Sequence, residues 1–165
     1  MYDRSIRHGP VLILLCLQAA LAYSACAPGK PDAHPTSRYI LRGGTAFDTR
    51  TRLTWQRCSV GQTWQGGKGC VGAVQGLTLL QAQLLEKDGW RLPTIEELKT
   101  LVSPSCSRPA INEEVFPGMD IQSLYYWSNT SPREASLYYL NFETGTVSAD
   151  GDEEPYSVRL VRSGP

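Results

Sequence analysis

Histidine is almost absent from this sequence: His8 and His34 are the whole supply in 165 residues. Once the N-terminal stretch is set aside, a nucleophile needing an imidazole base has only His34, which sits in a Pro-rich segment. No cysteine pair has Cys-x-x-Cys spacing, so the usual zinc arrangements are missing too. Charge of one sign is equally lacking. Lys plus Arg and Asp plus Glu number 16 each, which leaves no basic excess for a nucleic-acid backbone. There is no internal repeat and no low-complexity stretch. Past the first 22 residues, no apolar run approaches the roughly 20 residues a membrane helix requires.

What is present begins with an export signal. Arg4 and Arg7 precede the apolar run Val11–Leu17, and Ala20-Leu21-Ala22 has small residues where a signal peptidase requires them. The reading is a signal peptide over 1–22, a Pro-rich segment over 23–37 and one domain over 38–165. An uncleaved anchor is one alternative. Acylation of Cys26 is another, although Tyr23 stands where an aliphatic residue is usual. Export without a second anchor places the chain in the periplasm, on the outer surface or in the medium.

Cleavage also resolves the cysteine count. The chain has five cysteines, and losing Cys16 leaves Cys26, Cys58, Cys70 and Cys106, an even set in an oxidising compartment. Cys58 and Cys70 enclose a loop containing Gly61, Gly66, Gly67 and Gly69 that needs a staple. Pairing them leaves Cys26 with Cys106, a bridge that ties the N-terminal segment to the domain. Loss of Asp3, Arg4 and Arg7 leaves acids in excess by one.

Tyr39-Ile40-Leu41 reads as a strand ending at Gly43-Gly44, and Ala46–Asp48 and Leu53–Gln56 read as a hairpin across a polar turn. Thr78 with Gln81 and Thr94 with Glu97 are capping boxes, in which a hydroxyl and an acid or amide each satisfy an orphan N–H. They open two short helices, Leu79–Leu85 before Gly89 and Ile95–Val102 before Pro104, joined through Trp90-Arg91-Leu92-Pro93. Period two then takes over in Tyr125–Ser128, Leu137–Phe142, Thr146–Ser148 and Tyr156–Arg162, with a tight turn at Glu143–Gly145. In the last strand Tyr156, Val158 and Leu160 share one side and Arg159 takes the other. Strands, two helices, then strands imply an α+β fold with helices packed beside antiparallel sheets.

Five segments together resemble a known family: Leu53–Cys58, Gly89–Leu98, Pro109–Asn112, Tyr126–Ser128 and Val158–Arg162. In this order they are similar to the Lcl C-terminal domain family of bacterial exported proteins, over about Arg38 to Gly164. The resemblance implies a C-type-lectin-like fold, with N- and C-terminal strands paired, two helices, and a second small sheet carrying long loops. The family's namesake is the head of a collagen-like adhesin that binds sulfated glycans. The present sequence has no Gly-X-Y stalk and lacks the basic excess a polyanion would want.

No nucleophile–base pair stands out, so the chain is expected not to be an enzyme. Glu96-Glu97 belongs to a helix start, where acids are favoured, and Glu113-Glu114 belongs to a polar turn. Arg91 and Arg159 are expected to bind carboxylates such as Glu96 or Glu97, or carbonyls. Asp150, Asp152, Glu153 and Glu154 surround Gly151 and offer the oxygen ligands calcium takes. Against that stands a solvated acidic turn, and Trp127-Ser128-Asn129 only partly echoes a lectin calcium motif. No other cofactor is expected. The aromatic cluster Tyr125, Tyr126, Trp127, Tyr138 and Tyr139 raises sugar binding, half of it facing outward by strand alternation. Trp127, Asn129, Arg133 and Tyr139 are the candidate ligand residues, with Glu134 beside them in the Asn129–Ser136 loop. The sequon at Asn129 has meaning only in a glycosylating secretory pathway, and the bacterial origin that the resemblance implies makes it incidental. The expected activity is an exported binding module for a glycan or a surface protein; the alternative is a structural subunit of an envelope assembly.

Overall fold

The computed structural model describes residues 26–27, 34–132 and 136–165. The signal segment expected at 1–22 lies outside the described residues, as do Arg133 and Glu134. Strands β1 (Tyr39–Arg42), β2 (Thr45–Asp48), β3 (Leu53–Gln56) and β9 (Val161–Ser163) form an antiparallel sheet in the order β1-β2-β3-β9. The first turn falls at Gly43-Gly44, as the sequence implies. In register across this sheet, Ala46 faces Trp55 and Trp55 faces Val161, and all three are fully buried. A small, a large and a medium side chain thereby fill one column of the core. The β3–β9 pairing also joins the N-terminal hairpin to the C-terminus.

The polar turn after β2 is organised by Asp48. Its carboxylate accepts the Arg50 N–H at 2.9 Å and the Thr51 hydroxyl at 2.6 Å, and it forms a bidentate pair with Arg38. Asp48 is wholly buried and the Arg38 side chain is 7% exposed.

Both capping boxes are present. They open α1 (Leu79–Gln83) and α2 (Ile95–Lys99), each shorter than the apolar spacing suggests. Leu84 caps α1, and Leu80 and Leu84 face solvent. Leu101, past the end of α2, is buried nevertheless. Glu97 does double duty: it accepts the Thr94 N–H at 2.8 Å and both arms of Arg91 at 2.7 and 2.8 Å. Burial pushes the Glu97 carboxyl up, but the Arg91 and Thr94 bonds outweigh it and hold it below the usual range. Glu96 pairs with Lys99 instead.

A second sheet contains β6 (Tyr125–Trp127), β7 (Leu137–Asn141) and β8 (Thr146–Asp150), in that order and antiparallel. Gly145, at φ 77°, closes the β7–β8 turn so near Val102 that an added Cβ would lie 2.7 Å from its Cγ1. This sheet lies between two apolar clusters, because alternation sends successive side chains to opposite faces. Tyr126 and Leu140 join Trp55, Leu98, Phe116 and Phe142 on one side. Trp127 and Leu137 join Leu79, Leu92, Val158 and Leu160 on the other.

The expected strand Tyr156–Arg162 is different. Regular pairing begins only at Val161, because the segment changes partners as it runs between the sheets. Ser157 exchanges backbone bonds with Tyr125 and Trp127 of β6, the Val158 carbonyl accepts the Val60 N–H, and the Leu160 carbonyl accepts that of Gln56. The expected alternation survives. Tyr156, Val158 and Leu160 pack on the Trp127 cluster, while Arg159 lies against Phe116 and Tyr126.

Disulfides join Cys26 to Cys106 and Cys58 to Cys70. Inside the second lies a two-stranded ribbon, β4 (Thr63–Trp64) with β5 (Cys70–Val71), where only a glycine-rich loop is apparent from sequence. Closing a 12-residue separation removes about 3 kcal/mol of chain entropy from the unfolded state. Cys58→Ser with Cys70→Ser should therefore lose about that much stability in urea unfolding under oxidising conditions. A loss under about 1 kcal/mol would mean the ribbon holds itself.

Candidate functional site

The second sheet's two faces are not equally covered. On the Trp127 side, alternation aligns Tyr125 and Trp127 of β6 with Tyr139 and Asn141 of β7, and with Thr146, Ser148 and Asp150 of β8. The apolar cluster covers only one end of this face. At the other end Tyr125 is 39% exposed, Tyr139 and Asn141 are half-buried, and Thr146 and Ser148 are exposed.

Tyr156 completes the surface. Its ring centroid lies 4.7 Å from Tyr139, 5.5 Å from Tyr125 and 4.6 Å from Trp127. Tyr125 and Tyr139 meet edge-on at 5.5 Å. Such tilted and T-shaped contacts lock the rings together while leaving apolar ring surface at the edge of the cluster. The Tyr156 hydroxyl donates to Asp150 Oδ2 at 2.8 Å, and Asp150 Oδ1 accepts the Gly151 N–H at 2.8 Å. Those two bonds hold the Asp150 carboxyl below its usual range. Burial, then Asp150, push the Tyr156 phenol well above its ordinary value, so it remains a donor.

The candidate residues occupy distinct places. Tyr139 is at the centre of the open face. Trp127 is fully buried and its indole N–H donates to the Leu77 carbonyl at 2.8 Å, so it shapes the face from beneath by holding Tyr156. Asn129 is exposed, with its backbone N–H on the Pro93 carbonyl. Tyr126 points into the core, where its hydroxyl meets Ser59 Oγ at 2.6 Å. Of the four expected calcium ligands, Asp150 is engaged by Tyr156 and Gly151. Asp152 contributes its backbone carbonyl to the Leu79 N–H, and Glu153 and Glu154 are exposed. Among the described residues, no three His, Cys, Asp or Glu side chains are grouped to hold a metal ion.

Tyr156 is the member that sequence reasoning left out, because it lies in a segment read as a core strand. Its signal was available in its place at the start of a period-two run, directly after the acids Asp152, Glu153 and Glu154 and Pro155.

The model of the family described as the Lcl C-terminal domain matches residues 44–162, which is well over half of the chain. The chain belongs to the Lcl C-terminal domain family. The match takes in both helices, the second sheet and the tyrosine face, and leaves β1 and Cys26 outside. No curated protein and no solved structure matches it. Family membership and two disulfides are compatible with an exported protein. No helix among the described residues of this Lcl C-terminal domain protein is long and apolar enough to cross a membrane.

Proposed function

We propose that this chain is an exported, non-catalytic binding module whose tyrosine face recognises a glycan at the bacterial cell envelope. The observation that carries the reading is the composition of one sheet face. Tyr125, Tyr139 and Tyr156 offer apolar ring surface beside Asn141, Thr146, Ser148 and Asp150, and a sugar needs both ring contact and neighbouring hydrogen-bond groups. A C-type-lectin-like fold belongs to the same proposal. The β3–β9 pairing, the two capped helices and the second sheet support it. Delivery by the 1–22 signal would place the face outside the cytoplasm, where both disulfides persist.

A glycan array probed with the oxidised chain tests this. Each aromatic contact is worth about 0.5–1.5 kcal/mol, so Tyr125→Ala with Tyr139→Ala should weaken binding about tenfold or more. The same change removes the ring contacts among Tyr125, Tyr139 and Tyr156 and should lower the melting temperature by several degrees while leaving the chain folded. Trp127 is unsuitable for the purpose because its loss would disturb the core. Binding unaffected by the double substitution would remove the proposal.

One observation favours the alternative of an interaction subunit. Strand β8 forms an outer edge of its sheet, with Thr146–Ala149 exposed and neither Lys nor Pro to blunt it. Flat arrays together with a co-purifying envelope protein, lost on Ser148→Pro, would favour that reading.

A further inference from the structure

A second aromatic site lies away from the tyrosine face, around the ribbon inside the Cys58–Cys70 bridge. A cleft of about 300 Å³ is lined by Trp64 at the end of β4 and Trp90 in the connector before α2, with Thr45, Gln56, Ser59 and Gln62 among its other residues. All ten residues lining it are uncharged.

Its walls are held from behind. The Arg57 guanidinium sits 3.9 Å from the Trp64 ring centroid, and is itself fixed by the carbonyls of Val115, Gly43 and Glu114. Gly44 allows this approach: a Cβ there would lie 2.9 Å from the Trp64 Cβ. Arg162 stacks on Trp90 at 4.9 Å. Gln62 is fully engaged, accepting the Ser59 N–H and donating to the Gly118 carbonyl. By contrast, the side-chain amide of Gln56 and the indole N–H groups of Trp64 and Trp90 make no hydrogen bond to the described residues. Two fixed rings and unengaged neutral donors and acceptors therefore share one opening.

That chemistry narrows the ligand. A charged group would lose part of its water against a lining that offers it no counter-charge. A hydrocarbon would leave the Gln56 amide unpaired. A molecule with apolar patches, ringed by hydroxyls and without charge, meets both requirements. The volume is at the small end of ligand sites, which run from roughly 300 to 1,000 Å³, so it suits one ring. We propose that the Trp64–Trp90 cleft is a second sugar site, which takes a single uncharged pyranose residue and does not depend on the tyrosine face.

The four indole N–H signals in a ¹H–¹⁵N correlation spectrum of the oxidised chain test this directly, with the fully buried Trp55 as internal reference and Trp127 as the reporter of the tyrosine face. The probes are the methyl glycosides of glucose, galactose, mannose and N-acetylglucosamine, with glucuronic acid and adenosine as controls, at concentrations into the tens of millimolar because single rings bind weakly, with Kd on the order of 1 mM. At least one glycoside should shift Trp64 and Trp90 saturably while Trp55 stays in place, and any shift of Trp127 reports the tyrosine face above it. Gln56→Ala, with dispersed signals retained, should raise that Kd about threefold or more. Tyr125→Ala with Tyr139→Ala should leave it unchanged, so failure of the tyrosine face and failure of the cleft are distinguishable. The proposal is overturned if no glycoside moves the two signals, if glucuronic acid or adenosine binds as tightly as the best glycoside, if Gln56→Ala has no effect, or if the tyrosine substitutions abolish the response.

Discussion

Asp48→Asn is expected to lower the unfolding free energy at pH 7 by about 3–5 kcal/mol, the loss that follows when one partner of a buried ion pair is removed. The substitution keeps the shape of the side chain but removes its charge, leaving the Arg38 guanidinium buried against one amide oxygen, an NH2 group that cannot accept, and the Thr100 carbonyl at 3.2 Å. Chemical denaturation of the two proteins measures the difference. The same carboxylate makes a second outcome visible. Burial on its own pushes the Asp48 carboxyl up, but bonds from Arg38, Thr51 and the Arg50 N–H more than offset it, so its native pKa lies below the usual carboxylate range. A carboxylate of that kind contributes its full stabilisation above its unfolded value, about 4. The contribution is lost as pH falls through the lower native value. Glu97 acts in the same sense. The wild-type chain should hold its stability down to about pH 4 and decline below it. Asp48→Asn should start lower and decline less steeply. An equally steep acid decline in the variant would show that Asp48 does not carry this dependence.

Arg159→Ala should be comparably damaging, at about 3–5 kcal/mol, for a different reason. Arg159 is fully buried, and no carboxylate of the described residues pairs with it. Its Nη1 donates to the carbonyls of Gln56 and Arg57, Nη2 donates to Ser59 Oγ at 3.2 Å, and the cation lies 5.0 Å from the Phe116 ring centroid and 5.7 Å from that of Tyr126. Burial holds its pKa below the ordinary arginine value, opposed in part by Tyr126. The charge is thus accommodated by dipoles and ring faces rather than by an anion. Alanine would orphan two buried carbonyls and leave a cavity. Arg159→Lys should recover little, because an ammonium cannot present the planar fork that reaches both carbonyls and the hydroxyl at once. Urea unfolding of the three proteins checks the order. Arg159→Lys equal to wild type would show that charge alone matters.

Legibility from sequence divides along contact range. The capping boxes at Thr78 and Thr94 are read correctly because each closes within three residues. The β2–β3 hairpin and the sides taken by Val158, Arg159 and Leu160 follow from local alternation. Cysteine counting leads to both bridges, since discarding Cys16 and stapling the glycine-rich loop leave one partner for Cys26. What cannot be read locally is which extended segment pairs with which. Tyr156–Leu160 has the period of a strand, yet it bonds in turn to β6, Val60 and Gln56. For the same reason, its leading tyrosine joins the open face rather than a core strand. Trp64 and Trp90 are far apart in the chain and line one cleft only because the ribbon and the connector converge. The outward half of the aromatic cluster was legible in kind but not in membership: Tyr139 is on the open face, whereas its neighbour Trp127 is beneath it.

The segment from Ser157 to Val161 also limits how the length of this chain can vary. Each successive side chain there belongs to a different side of the domain, so inserting or deleting one residue would send a guanidinium into the Trp127 cluster and a valine toward the Gln56 and Arg57 carbonyls. Elsewhere there is slack. A Cβ added at Gly66, Gly67 or Gly151 meets nothing within 4 Å, and both loops stand clear of the clusters. Related chains can therefore differ in length at the ribbon tip and in the acidic turn and keep the same body, whereas the stretch between Ser157 and Val161 must keep its spacing.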